Sequence, residues 1–340
     1  MLSRSLLLGS DNAKEASYGQ PQEIESIAVH KRNRSVSKQS TLFGIDGAQE
    51  PIAPPEPEEV ARPFEIPGTL LGTSSFTAKG WQGTFYPEGM RSQESLSYYS
   101  GKFNAVEIDS TFYGTPRPST VTSWKDKTPA DFMFALKIPQ VVTHEKILVG
   151  CESEFDEFIE TVSLLGDKLG PMLFQFPKFD KWMLKDSEAF LARLDTFLKR
   201  ITNTALRFVV EIRNKSWLDA RLTDFLRERN VALALTDTSF MPRPWELKEP
   251  LDLITADFAY VRWLGNRKGI EVMTKTWDKV VVDRTADLTE WAKLMRMWTM
   301  ERKFKRAFLF ANNHYQGFAP ATVELFRKLW ADQIAEHRRG

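Results

Sequence analysis

Six charged residues stand near the ends of apolar runs in this chain: Glu107, Asp109, Lys137, Glu211, Arg213 and Arg262. The runs share one grammar. They read Phe103-Asn104-Ala105-Val106-Glu107-Ile108-Asp109, Phe134-Ala135-Leu136-Lys137-Ile138, Leu173-Phe174-Gln175-Phe176, Val209-Val210-Glu211-Ile212-Arg213 and Tyr260-Val261-Arg262-Trp263. Side chains alternate faces with period two along a strand. Ala105 therefore shares a face with Glu107, Ala135 with Lys137, Leu173 with Gln175, Val209 with Glu211, and Tyr260 with Arg262. Strand ends that are apolar on one face and polar on the other fit a barrel wrapped by helices, with a polar mouth at its C-terminal rim.

Three acids and three bases can neutralise one another, either as a buried ion network that plugs the barrel or as a working site. For a site, Glu107 and Glu211 form the best general acid/base pair, because two carboxylates in different environments can hold different protonation states. Lys137 and Arg262 would hold a phosphate or carboxylate, the Arg through a bidentate fork and the Lys as a point charge. Asp109 and Arg213 belong to the same mouth. A sharper alternative makes Lys137 a Schiff-base nucleophile with its pKa lowered by Arg neighbours.

Metal chemistry is poorly supplied. The four histidines are His30, His144, His314 and His337, and only His144 and His314 follow candidate strands. A single divalent ion on Glu107, Glu211 and Asp237 is the remaining metal option. The favoured expectation is a site without metal or other cofactor. His144 is either a site residue or a hydrogen-bonded loop residue.

Tyr113 and Trp217, just beyond strand ends, could stack on a ring, whereas Trp263 should turn outward by alternation. Thr111 adds a hydroxyl and Gln175 an amide to the mouth, without the His-Asp partner of a serine hydrolase. Asn312-Asn313-His314-Tyr315 is the densest polar loop and leads into a helix at Ala319-Pro320. Loops after strands seven and eight of such barrels often bind phosphate. Arg262, Arg267 and Lys268 add positive charge on that side.

The elements that must position these residues follow from periodicity. Candidate strands cover 69–74, 103–109, 132–138, 171–176, 206–212, 231–236, 258–263 and 306–312. The clearest helices cover 153–166, 187–200, 218–229, 286–302 and 319–335. Ser187 is the expected N-cap of the second of these, and Pro320 suits a first helical turn. Eight strands alternating with helices predict an α/β fold with parallel strands, closed as a single (β/α)8 TIM-type barrel over residues 63–340. Residues 1–62, ending in Pro51-Ile52-Ala53-Pro54-Pro55-Glu56-Pro57, read as an extended or disordered tail and linker. No Gly-x-Gly-x-x-Gly or Walker A loop is present.

Composition sets the remaining bounds. Of 340 residues 42% are hydrophobic, with 10 Trp and 24 Phe, enough for a large core. The formal charge of +1 advertises no global affinity for nucleic acid or anionic membrane. The one cysteine, Cys151, excludes an intramolecular disulfide. No apolar run approaches the ~20 residues that span a bilayer, and Leu6-Leu7-Leu8 is too short for a secretory core. The expectation is a soluble cytoplasmic protein with no membrane partner; its oligomeric state is left open.

Several segments resemble the domain of unknown function 72 family, also called YecE-like. They are Gly72-Thr73-Ser74 with Trp81 and Phe85-Tyr86-Pro87, Phe103 through Tyr113, and Phe134-Ala135-Leu136-Lys137-Ile138-Pro139 with Thr143-His144. Leu169 through Pro177, Val210-Glu211-Ile212-Arg213 with Ser216-Trp217, and Asn312-Asn313-His314-Tyr315 with Ala319-Pro320 continue the match. The resemblance covers about residues 68–331 and implies a TIM-barrel-type fold; the family's name assigns no reaction. A fold-level likeness to endonuclease IV-like and xylose-isomerase-like barrels is analogy alone. The chain departs from the family's usual pattern at Asn214 and Leu264, where histidines are common, and at Lys178, where a second proline is common. A mechanism resting on those imidazoles does not carry over.

The sequence thus reads as a TIM-barrel enzyme without metal, acting by acid/base chemistry on a polar small molecule that is phosphorylated or otherwise anionic. The alternatives are a nucleic-acid-binding or -processing barrel, with Arg262, Arg267, Lys268 and Lys215 along the backbone, and a ligand-binding protein without turnover.

Overall fold

The computed structural model describes residues 65–201, 205–247 and 249–337. The expected tail at 1–62 lies outside the described residues. The described residues form eight strands: β1 (Thr69–Thr73), β2 (Ala105–Ile108), β3 (Met133–Lys137), β4 (Leu169–Gln175), β5 (Phe208–Glu211), β6 (Ala232–Thr238), β7 (Phe258–Gly265) and β8 (Arg306–Ala311). All ladders are parallel, in the order β1-β8-β7-β6-β5-β4-β3-β2. The helices are α1 (Ser95–Lys102), α2 (Pro118–Asp126), α3 (Glu152–Val162), α4 (Ser187–Leu198), α5 (Ala220–Arg227), α6 (Arg267–Met273), α7 (Thr285–Met300), α8 (Asn313–Gln316) and α9 (Ala319–His337). The chain forms a nearly closed (β/α)8 barrel, as its alternating pattern predicts.

The seam between β1 and β2 is closed by side chains in place of a backbone ladder. Leu71 N–H donates to Asn104 Oδ1 at 2.7 Å, and Asn104 Nδ2 donates to the Thr69 carbonyl at 3.3 Å. Thr73 N–H donates to the Tyr99 hydroxyl at 2.8 Å, which lies 3.1 Å from the Ala105 carbonyl. Four backbone groups at the seam, the Leu71 and Thr73 N–H and the Thr69 and Ala105 carbonyls, thus find partners. Gly72 lets the strands approach, since a Cβ there would sit 1.9 Å from the Ala105 oxygen.

Alternation divides the core in two. Inward, alanines 105, 135, 232 and 234 leave room that Phe258, Tyr260, Phe308 and Phe310 fill. Outward, Val106, Phe134, Phe174, Val210 and Val261 meet the helices. Trp263 turns outward, its ring centroid 4.8 Å from that of Phe326 on α9. Short polar side chains start the helices by accepting free N–H groups. Asp186 accepts from Ala189 at 2.9 Å, so α4 is capped one residue before the expected Ser187. Asp219 accepts from Leu222 at 3.1 Å, and Asn266 from Gly269 at 3.1 Å. Arg267 and Lys268 open α6, a helix whose brevity and Gly269 hide its periodicity.

Candidate functional site

The inward positions nearest the C-terminal rim carry the charges. Arg262 on β7 is the hub, 3% exposed. Its Nε and Nη2 donate to Glu107 Oε1 at 3.1 and 2.7 Å, and its Nη1 donates to Glu211 Oε2 at 2.6 Å. Nη2 also reaches Asp109 Oδ1 at 3.2 Å. The other Glu107 oxygen accepts from the Tyr260 hydroxyl at 2.5 Å, and the other Glu211 oxygen lies 3.4 Å from Arg213 Nε. Glu107 and Glu211 are fully enclosed, at 0% and 1% exposure.

Burial opposes the charges of Arg262 and Glu211, and their neighbours decide the outcome. It works against the Arg262 charge, but Glu107, Glu211 and Asp109 together hold the guanidinium well above its ordinary value. It likewise works against Glu211, yet Arg262 and Arg213 outweigh it and hold the carboxyl below its ordinary value. Burial and the Glu107 charge push the Tyr260 hydroxyl up, keeping it a donor.

Above this floor opens a cavity of about 500 Å³. Asp109, Lys137 and Arg213 line it on one side, Asn266, Arg267, Lys268, Asn312 and His314 on the other. Burial and then Glu107 push Asp109 up to about 6, against the pull of Arg262 and Lys137. Burial lowers Lys137, with Asp109 opposing and Arg262 reinforcing the shift. Among the described residues no carboxylate comes within ion-pair distance of Lys137 Nζ; the three nearby acids are engaged by Arg262 and Arg213. The ammonium instead lies 3.9 Å from the centroid of the Phe112 ring. Thr111 fixes this strand end, its hydroxyl within hydrogen-bond range of the Lys137 carbonyl at 2.6 Å.

Across the mouth, Gly265 lets the β7 end pass under α8. Its φ of +68° is left-handed, and a Cβ there would lie 2.4 Å from the His314 carbonyl oxygen. Asn312 caps α8, its Oδ1 accepting from the His314 amide at 2.9 Å. The same oxygen lies 2.6 Å from His314 Nδ1, and His314 Nε2 lies 3.1 Å from Glu271. Burial lowers His314, with Glu271 opposing. Arg267 is paired with Glu271 at 2.8 Å.

A family model described as "Protein of unknown function DUF72" matches residues 70–339. The chain belongs to the DUF72 family. It is 35% identical over 83 residues to UPF0759 protein YecE of Escherichia coli (strain K12), a match covering 24% of this chain and 30% of YecE. It is 32% identical over 147 residues to UPF0759 protein YunF of Bacillus subtilis (strain 168), covering 41% and 50% of the two chains. The chain thus spans half or less of the length of these curated relatives. A DUF72 family protein of Enterococcus faecalis V583 superposes with a TM-score of 0.60 at 20% identity, over 77% of this chain and 95% of the other, which shows the shared fold.

Within this DUF72 barrel, Asp109, Tyr113, Lys137, Arg213, Arg262 and Asn312 of the sequence-predicted set line the cavity. Glu107 and Glu211 lie beneath it. Gln175 is buried at the same end, its amide donating to the Phe176 carbonyl. His144 sits behind Phe112, with ring centroids 4.9 Å apart, and its Nδ1 is 2.8 Å from Thr143 Oγ1. Burial, Lys137 and Arg213 lower it to about 4, so it is neutral. Four others face elsewhere. Trp217 stacks on Phe179 and Phe190 among the helices. Asp237 turns outward, accepting from Trp291 Nε1 at 2.9 Å, the Tyr315 hydroxyl at 2.8 Å and Arg243 Nε at 3.0 Å. Tyr315 is therefore spent on Asp237, and Asn313 Oδ1 accepts from Trp81 and from the Ala319 amide.

Asp237 faces the helix layer, whereas Glu107 and Glu211 face the barrel interior, so the three do not share an ion. No group of three or more His, Cys, Asp or Glu among the described residues is arranged to hold a metal, and the Arg262 guanidinium occupies the space between the acids. Phe112 and Phe240, neither of them a candidate on sequence grounds, also line the cavity. Phe112 beside Tyr113 was the available signal; Phe240 sits in the irregular segment after β6 and gave none. Of the departures from the family pattern, Asn214 staples two loops by exchanging 2.8 Å hydrogen bonds with Phe179, and Leu264 lines the cavity. Among the described residues no helix is long and apolar enough to cross a membrane.

Proposed function

We propose that this barrel is an acid/base enzyme for a small anionic molecule held in the mouth, with Lys137 and Arg213 binding the anion and Asp109 carrying the proton. One observation bears most of the weight: a lysine ammonium faces the cavity without a carboxylate partner among the described residues. A desolvated, uncompensated cation beside a second one at Arg213 gains most from an incoming phosphate or carboxylate. Asp109, about a third exposed and pushed up to about 6, can hold or release a proton near neutral pH. Glu107 and Glu211, first in line as acid and base on sequence grounds, serve in this reading as the counter-charges that fix Arg262.

Thermal-shift screening tests the reading. Phosphorylated sugars, nucleotides and small carboxylates should raise the melting temperature where their uncharged analogues do not, and Lys137→Met should abolish the rise. Stabilisation that persists in Lys137→Met, or an absence of any anion effect, would sink the proposal. Asp109→Asn should retain binding and lose turnover; a wild type that binds and turns nothing over would be a ligand-binding protein. A second reading, a single strand lying across the mouth, draws on the exposed ring of Tyr113 and half-exposed Phe240 beside Arg213 and Lys268.

A further inference from the structure

We infer that Lys137 is an imine-forming amine, and that the molecule held in this cavity is a small oxo acid or another anionic carbonyl compound. The inference rests on the anion-binding reading of the same cavity and adds the electrophile. Most buried lysines are held by a carboxylate, which fixes the proton on nitrogen. Here each acid that could do so is committed elsewhere: Glu107 to Arg262 and Tyr260, Glu211 to Arg262 and Arg213, and Asp109 to Arg262. The Phe112 ring face attracts an ammonium but offers no acceptor for its protons. Lys137 nevertheless ends on the wall of an open cavity of about 500 Å³, where a ligand atom can meet Nζ. Burial favours the neutral amine, and a desolvated lysine next to another cation is the environment that activates this nucleophile.

The remaining parts of such a site are in place. Asp109 lines the same cavity and can exchange a proton with the reacting atoms. Arg213 on the same side, with Lys268 and Asn312 across the mouth, can hold the ligand's carboxylate or phosphate. The Nζ lone pair attacks the carbonyl carbon, a C–N bond forms, and the C=O π pair moves to oxygen, which takes the proton of protonated Asp109. The nitrogen returns one proton to the Asp109 carboxylate. The hydroxyl then leaves as water with that proton, while the nitrogen lone pair forms the C=N bond. Amine, carbonyl and the Asp109 proton have become a protonated imine and one water, leaving Asp109 as the carboxylate, with no oxidant or reductant consumed.

Reductive trapping tests this on the full chain. The protein is incubated with glyoxylate or pyruvate and cyanoborohydride, then analysed by intact mass and peptide mapping. A single addition should map to Lys137, with a preference over exposed lysines such as Lys185 of about tenfold or more, equivalent to ~1.4 kcal/mol in the transition state. Lactate, which carries the carboxylate without the carbonyl, should protect. Label spread over surface lysines, or label that survives in a folded Lys137→Arg variant, would overturn the inference. Lactate or inorganic phosphate raising the melting temperature while no adduct forms would refute the imine and leave the anion reading standing. Failure of stabilisation by lactate, phosphate and both oxo acids, with no adduct, would remove both.

Discussion

Replacing Arg262 with methionine would show what the floor of the cavity is made of. The variant keeps an unbranched chain of similar reach and removes the charge that Glu107 and Glu211 share. With charge centres about 4 Å apart and an effective dielectric near 20, each contact is worth about 4 kcal/mol gross. Desolvation of the three groups offsets much of that in the intact network. Once the guanidinium is gone, the carboxylates remain desolvated with little to compensate them. Taking one partner from a buried pair costs about 3–5 kcal/mol. An independent ceiling agrees, since neutralising a glutamate of ordinary pKa at pH 7 costs about 4 kcal/mol. Glu211 keeps Arg213 at 3.4 Å, so the second acid adds less than the first. A loss of about 4 kcal/mol should lower the melting temperature by about 10 °C in a domain of this size. The pH dependence carries the sharper signature. In the wild type Glu211 lies below its ordinary value, so its contribution is present above the ordinary carboxylate range and is lost as pH falls through it. In the variant the buried acid favours the proton in the folded state, so stability falls as pH rises. The gap between the two proteins should be widest near neutrality and close towards about pH 4. Thermal and urea unfolding at pH 7.5 and pH 4.5 measure it. An unchanged midpoint, or a deficit that does not shrink in acid, would refute the buried-network argument.

Asp109→Asn should behave in the opposite sense. Its folded value of about 6 exceeds the ordinary 3.8, so the stability tied to its proton is present below about pH 4 and lost as pH rises through 6. The Asn variant should melt at or above the wild type at pH 7.5 and lose that advantage in acid; a less stable variant at pH 7.5 contradicts the assignment. Asn104→Ala removes both amide bonds across the β1–β2 seam and should cost about 1–3 kcal/mol. Hydrogen exchange at Leu71 should quicken selectively, and retained protection there would show that the seam closes by other means. Short single-stranded oligonucleotides should bind without a strong salt dependence. A steep loss of affinity with salt that flattens in Arg267→Ala/Lys268→Ala would replace the small-molecule reading with the nucleic-acid one.

How much of this was legible in the sequence depends on the distance over which each property is set. Alternation is local, and it correctly turned Glu107, Lys137, Glu211 and Arg262 inward and Trp263 outward. Depth along the barrel axis is not local. In the β2–β3 register Glu107 pairs with Ala135 and Ile108 with Leu136, which sets Asp109, not Glu107, level with Lys137. The same parity therefore yields a buried counter-ion in one layer and a cavity-lining acid in the next. Asp237 was nominated for its charge at a strand end, although alternation from Ala232, Ala234 and Thr236 already turned it towards the helices. The Trp291 and Tyr315 donors that receive it come from segments 54 and 78 residues away. Trp217 likewise lies just past a strand end, where a short turn at Lys215–Trp217 swings its ring into the helix layer.

Depth also gives the balanced ring a direction. Equal numbers of acids and bases at one level would present an incoming ligand with no net field. Here the two glutamates are sealed beneath Arg262, while Lys137 and Arg213 stand at the cavity wall with Asp109 as the one acid beside them. The network is a dipole with its positive end towards the opening, set in surroundings of low dielectric where such fields are weakly screened. A divalent cation would meet that positive end first and find the glutamates already occupied by a guanidinium. An anion meets Lys137, which pairs with no carboxylate among the described residues, and is repelled only weakly by the acids below, whose charge Arg262 and Arg213 offset. The same ordering places the Lys137 nitrogen and the Asp109 carboxyl side by side on the cavity wall, and in the proposed reading the chemistry passes through those two.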